Sequence, residues 1–208
     1  MRYLYQHGFA SGPTSRKARF LRDAMARSGL ELEIPALDQG DFEHLTITGQ
    51  LSLIESLLND EEVRIAGSSM GGYLAALYAF IHKEVSRVVL LAPALGFARL
   101  FEETTPPERL ATWRESGWMD VFHHSTGDMR RIHYGLMEDA RRYPSAPDFT
   151  QPALIFHGLG DDVVPISLSR TFAHAHPNVE LIEMQSGHEL VDVLDTIAAR
   201  AIPFLTGA

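Results

Sequence analysis

The sequence predicts an α/β fold, a mostly parallel sheet with helices on both faces, on three observations. Segments that read as strand and helix alternate along almost the whole chain, the pattern of repeated βαβ units. Residues 85–92 are nearly continuous in Val and Leu, as suits a parallel strand buried on both faces. The helix that follows Gly67-Ser68-Ser69-Met70-Gly71 is apolar almost all round, which fits a helix packed against the centre of a sheet.

Residues 2–6, with Tyr3, Leu4 and Tyr5, read as a short first strand. It runs into the turn cluster His7-Gly8-Phe9-Ala10-Ser11-Gly12-Pro13. Thr14 or Ser15 can cap a helix to about residue 27, with Ala18, Leu21, Ala24 and Met25 on one face. Ser28-Gly29 stops it. Residues 30–34 read as a second strand, cut off by Pro35. A helix over 46–58 buries Ile47, Leu51, Ile54, Leu57 and Leu58, and residues 63–66 form a third strand. Strands at 85–92, 153–156 and 179–184 bring the sheet to about six. Helices at 167–175 and from about 190 to 204 complete a single domain over 1–208.

Composition narrows the function classes. Of 208 residues, 45% are hydrophobic and 22% charged, ordinary for a globular protein, and the net charge of −9 offers no field to attract nucleic acid or an anionic membrane. There is no cysteine, so disulfides, thiolate metal sites and a Cys nucleophile are all excluded. No apolar run has the length of a membrane span, and the first residues enter a strand without a signal-like apolar stretch. The expectation is a cytoplasmic enzyme acting on a small molecule, with no cofactor. His123-His124 and His133 lack a third ligand at a recognisable spacing, so no metal is expected.

Four segments with unusual residues lie at the carboxyl ends of predicted parallel strands, where such sheets bind ligands. They are His7-Gly8-Phe9, the Gly67-x-Ser69-x-Gly71 turn, the loop at Asp161-Asp162, and His188. Strand, Gly-x-Ser-x-Gly and helix in succession form a nucleophile elbow, a strained turn with the serine at its tip. A serine nucleophile needs a histidine to take its proton and a carboxylate to orient that histidine. Ser69, Asp161 and His188 occur in the serine–acid–histidine order of that fold type. Asp161 is preferred over Asp162 because it occupies the fifth place of His157-Gly-x-x-Asp. His174 and His176 sit at a helix end instead. His7 and His157 are read as structural, and Asp38 as a turn residue or a substrate contact.

The motifs His7-Gly8-Phe9-Ala10-Ser11-Gly12-Pro13 with Lys17-Ala18, Gly67-Ser68-Ser69-Met70-Gly71, His157-Gly-Leu-Gly-Asp161-Asp-Val-Val-Pro165 and Ser186-Gly187-His188 resemble those of a compact α/β-hydrolase. The group they resemble is the small bacterial esterases related to the YqiA-like (UPF0227) esterases, and the likeness spans essentially the whole chain. The resemblance implies a sheet lacking the N-terminal hairpin of larger relatives. It also implies an oxyanion hole from the Phe9 and Met70 amides. The function it points to is hydrolysis of a carboxylic ester or thioester. The same residues would serve a perhydrolase, acyltransferase or lyase, and a non-catalytic binding protein is the further alternative.

Residues 94–149 differ in composition, with Pro106-Pro107, both tryptophans and two arginine pairs. Helical periodicity at about 108–113 and 129–143 predicts a helical lid or insertion. Trp113, Trp118 and Phe122, with Met119, Met129 and Met137, are candidates to line a substrate pocket and equally to form the core of the lid. Arg130-Arg131 and Arg141-Arg142 could hold phosphates or make a solvated helix face beside Glu138 and Asp139.

Overall fold

The computed structural model describes residues 1–207. In the first half of the chain the elements are β1 (Arg2–Gln6), α1 (Arg16–Ala26), α2 (Ile47–Leu58), β2 (Val63–Ser68), α3 (Met70–Ile81) and β3 (Val85–Leu91). A cap follows, made of α4 (Phe97–Thr104), α5 (Pro107–Ser116), β4 (Trp118–His123), β5 (Asp128–His133) and α6 (Gly135–Ala140). The chain then returns to the sheet with β6 (Ala153–Gly158), α7 (Ile166–Ala175), β7 (Val179–Met184) and α8 (Leu194–Thr206).

Five strands pair in parallel in the order β1-β2-β3-β6-β7. Successive residues of a strand face opposite sides of the sheet, so each strand feeds two cores. Leu4, Ile65, Val88, Leu90 and Ile155 join α2, α3 and α7 on one side. Tyr5, Ala66, Val89, Leu91 and Phe156 join α1 and α8 on the other. The absence of a polar face on β3 and β6 follows from this double cover.

The predicted strand at 30–34 is reduced to a single parallel bridge, Leu4 to Glu33, on the free edge of β1. Its hydrogen bonds run from Tyr5 N–H to Glu33 O at 2.8 Å and from Glu33 N–H to Tyr3 O at 2.9 Å. Pro35 ends the pairing there, since it has no N–H to donate. The bridge still matters for topology. The chain steps outward from β1 to Glu33 and then crosses back to β2 on the other side. The crevice at this reversal lies between the carboxyl ends of β1 and β2.

The prediction for the lid needs correction. Residues 108–113 are helical, within α5, but the helix expected over 129–143 is a strand followed by the short α6. β4 and β5 form an antiparallel hairpin, with Phe122 opposite Met129 and His123 opposite Asp128. The alternation of buried Met119 and His123 with exposed Asp120 and Phe122 is a strand signal. Gly127, at φ 75°, provides the turn that reverses the chain. Several hydrogen bonds tie the cap to the main body, two of them near α2 and α3. Asp139 Oδ2 accepts from Thr48 N–H at 2.7 Å at the start of α2, and Tyr73 O–H donates to Pro144 O at 2.8 Å.

Candidate active site

The elbow is built by exclusion of side chains. A Cβ on Gly67 would collide with the Gly71 carbonyl, and one on Gly71 would collide with the carbonyl oxygens of Gln6 and His7. With both positions bare, β2 can turn sharply into α3 beside β1. Ser69 at the tip takes φ 55° and ψ −121°, a conformation that costs about 1–3 kcal/mol for a residue with a Cβ. Backbone bonds hold it there. Ser69 N–H donates to Leu91 O at 2.9 Å, and its carbonyl accepts from Tyr73 N–H at 3.1 Å and Ala94 N–H at 3.0 Å.

Ser69, His188 and Asp161 meet in one hydrogen-bonded chain. His188 Nδ1 lies 2.8 Å from Asp161 Oδ2, and His188 Nε2 lies 3.2 Å from Ser69 Oγ. The carboxylate requires Nδ1 to carry the proton, which leaves Nε2 free to accept from the serine hydroxyl. The acid and histidine loops are packed onto each other: Gly160 N–H donates to Ser186 O at 3.0 Å, and a Cβ on Gly158 would strike the Ser186 and Gly187 carbonyls.

Asp161 is fully buried in its side chain, whereas Asp162 is exposed. Its Oδ1 accepts from Val163 N–H at 2.9 Å and Val164 N–H at 2.7 Å. Its Oδ2 faces both His188 and His157, the latter at 3.1 Å. Burial alone would raise this carboxyl's pKa. The hydrogen bonds from His157, His188 and the Val164 amide outweigh it and hold the group well below the ordinary carboxylate range. His157 is oriented in turn by Ser169 Oγ at 2.7 Å from Nδ1 and by Val164 O at 2.9 Å from Nε2.

The turn after β1 lies against Ser69. A Cβ on Gly8 would come within 3.3 Å of the Ser69 Cβ. His7 braces this turn: its Nε2 accepts from Leu37 N–H at 3.3 Å, so Nδ1 carries the proton and faces Gly8 O at 3.1 Å. Burial lowers the His7 pKa, in keeping with a neutral ring. The Phe9 ring packs among Phe42, Phe97 and Phe101 at centroid distances of 5.6, 6.2 and 5.8 Å. Its N–H has no backbone acceptor among the described residues. Met70 opens α3, so its N–H precedes the first intrahelical bond.

A cavity of about 840 Å³ opens beside Ser69 and His188. Its walls come from Phe9, the start of α1 and the tip of the cap hairpin, where His124 N–H donates to Ala10 O at 2.8 Å. Trp113, Trp118 and Phe122 are not among its walls. Trp113 is fully buried inside the cap and donates from Nε1 to Ile132 O at 2.9 Å. Trp118 lies under the Arg131 guanidinium and meets His133 edge to face, and Phe122 is half exposed, its ring against His124. The arginine pairs are engaged elsewhere: Arg131 with Glu43, Arg141 with Glu102, and Arg142 with Asp139. Asp38 caps its own turn, accepting from Gly40 N–H at 3.2 Å.

The sequence reading missed Lys17, Arg16, Arg19, His124 and Ser125 as cavity walls. Lys17 had a signal, since it lies four residues before Leu21 on the buried face of α1. The hairpin tip had none, because its position depends on how the cap folds back. Among the described residues no three His, Asp or Glu side chains group as metal ligands would, and no helix is long and apolar enough to cross a membrane.

A family model covers residues 2–206, that of the uncharacterised protein family UPF0227. The chain belongs to UPF0227. No curated protein matches the sequence. Solved structures show that this UPF0227 member has the α/β-hydrolase fold. A protein of Agrobacterium vitis S4 superposes with a TM-score of 0.85 at 23% identity, covering 98% of this chain and 87% of that one. Est1E of Butyrivibrio proteoclasticus, in its complex with ferulic acid, gives 0.80 at 19% identity, over 98% and 89% of the two chains. The mouse alpha/beta hydrolase domain-containing protein 10 gives 0.78 at 18% identity, over 99% and 89%.

Proposed function

We propose that this protein is a serine hydrolase that cleaves carboxylic esters or thioesters through an acyl-enzyme. The observation that carries the reading is the unbroken chain from Ser69 Oγ through His188 to Asp161, at 3.2 and 2.8 Å, beside an open cavity. His188 Nε2 takes the Ser69 proton as Oγ attacks the acyl carbon. The imidazolium so formed is stabilised by Asp161, which stays ionised because its pKa is depressed. The Phe9 and Met70 N–H groups, neither used by the backbone ladder, receive the negative charge on the carbonyl oxygen. Collapse of the tetrahedral intermediate breaks the ester bond, and His188 returns the proton to the leaving oxygen or sulfur. Water then attacks the acyl-enzyme, with His188 as base, and releases the acid and free Ser69.

The pre-set elbow supports this reading. A serine held at φ 55° is strained, and strain of this kind persists where surrounding contacts over-determine it. Small p-nitrophenyl esters and a fluorophosphonate probe test the assignment together. Wild type is expected to turn over the esters and to label at Ser69. Ser69→Ala is expected to keep its fold, lose labelling and fall by about three orders of magnitude or more in kcat. Near-wild-type turnover by Ser69→Ala refutes the assignment.

A further inference from the structure

The first turn of α1 forms a wall of the cavity beside the hairpin tip, where Thr14 Oγ1 lies 3.2 Å from Ser125 Oγ, and its charges are the wrong sign for an empty helix end. The N-terminus of a helix carries partial positive charge and unpaired N–H groups, and acidic residues normally settle there. Here the first turn has no acidic residue, and Ser15 makes no side-chain cap. Arg16 and Lys17 occupy its first two positions, and Arg19 follows, all three lining the cavity. Neither Arg16 nor Arg19 has an ion-pair partner among the described residues.

Two buried groups border the same space, a lysine paired with one exposed carboxylate and a tyrosine hydroxyl with no partner. Lys17 is 8% exposed, and its nearest carboxylate is that of Glu189 at 3.6 Å, whose own side chain is 73% exposed. Tyr5 is fully buried, lines the cavity, and has a hydroxyl with no hydrogen-bond partner. Burial lowers the Lys17 pKa, and the attraction of Glu189 works against that shift. A protein of net charge −9 has therefore gathered three cations against one carboxylate, Glu189, along one wall of its cavity.

We infer that the substrate is an anionic ester or thioester, whose carboxylate or phosphate group is bound by Lys17, Arg16 and Arg19 at the N-terminus of α1. This rests on the hydrolytic reading above and adds the charge of the substrate to it. A bound anion completes what the fold leaves open. It accepts from the free N–H groups of the first turn, pairs with Lys17 in a partly desolvated setting, and offsets the repulsion between the cations and the helix dipole. Glu189 is exposed enough to swing aside when the anion enters.

Matched esters on the full-length protein provide the test. p-Nitrophenyl butyrate is compared with mono-p-nitrophenyl glutarate, which places a carboxylate on the acyl side. Phenyl butyrate is compared with 4-(butyryloxy)benzoate and 4-(butyryloxy)phenyl phosphate, which place a carboxylate or a phosphate on the leaving group. Rates are normalised to hydroxide hydrolysis of each ester. At least one anionic ester is expected to exceed its neutral partner by about tenfold or more in kcat/KM. The preference is expected to fall towards parity in Lys17→Met and in the Arg16→Gln/Arg19→Gln double variant, and to shrink in about 0.5 M NaCl. The arms separate carboxylate from phosphate and acyl side from leaving-group side. Parity on every pair in the wild type, or a preference that Lys17→Met retains in full, overturns this inference and leaves the hydrolase standing. No turnover of any ester, with no probe labelling at Ser69, overturns both.

Discussion

His157 Nε2 lies 3.1 Å from Asp161 Oδ2, the same carboxylate oxygen that His188 Nδ1 approaches at 2.8 Å. Asp161 is thus held from behind by a buried imidazole while it holds another in front. Ser169 fixes the rear ring from its far side, so a chain of five side chains, Ser169, His157, Asp161, His188 and Ser69, runs from α7 to the tip of the elbow.

His157 is a positioning residue on this geometry. His157→Leu removes a donor to a buried carboxylate and is expected to lower kcat by roughly ten- to a hundredfold, with KM nearly unchanged. His157→Gln keeps an N–H donor and is expected to recover part of that loss. Equal damage from both variants, or an effect confined to KM, counts against the role.

Asp161 and Asp162 are adjacent, yet only Asp161 turns inward. Asp161→Asn is expected to cost about 10⁴ in kcat, because an amide offers the wrong partner to the His188 Nδ1–H. Asp162→Asn is expected to stay within about twofold of wild type, as suits an exposed side chain. Steady-state kinetics on one ester decides between them.

The elbow depends on bare backbone more than on any side-chain contact. Gly71→Ala drives a methyl into the Gln6 and His7 carbonyls and is expected to lower stability by more than about 3 kcal/mol, or to yield no soluble protein. Gly29→Ala meets open space and suffers only from its φ of 71°, so a loss of about 1 kcal/mol is expected. Urea denaturation measures both.

Acid sensitivity should begin well above the carboxylate range. Burial depresses the pKa of His7 below its unfolded value of about 6.5. The unfolded chain then binds a proton that the fold refuses. Stability is complete above about pH 6.5 and declines as pH falls towards and through the depressed folded pKa. His123 contributes in the same direction, its burial again the leading cause. Asp161, with a depressed carboxyl pKa, adds a separate loss that begins only below about pH 4. Urea midpoints from about pH 7.5 down to 5 are expected to fall, and His7→Asn to flatten that slope. A wild-type midpoint that is level over this range contradicts the account.

Read from the sequence alone, the α/β class, the order of the sheet-forming segments and the candidates Ser69, Asp161 and His188 were all accessible. The reason is local: two-fold and 3.6-fold apolar periodicities, the paired glycines around Ser69, and the rule that parallel strands open their carboxyl ends on one edge each act over a few residues. The cap was legible only in part. Its α5 carries helical periodicity, but residues 129–133 became a strand because they pair with 118–122, and that preference is set by the partner. Trp113 shows the same limit. A buried tryptophan in the cap and one lining a cavity have the same letter, and the contact with Ile132 O puts it in the cap. Tertiary structure alone decided which groups share the cavity with Ser69. Lys17, His124 and Glu189 are far apart in the chain, and they meet there because the sheet reverses direction at β1 and the hairpin folds back over the turn that follows it.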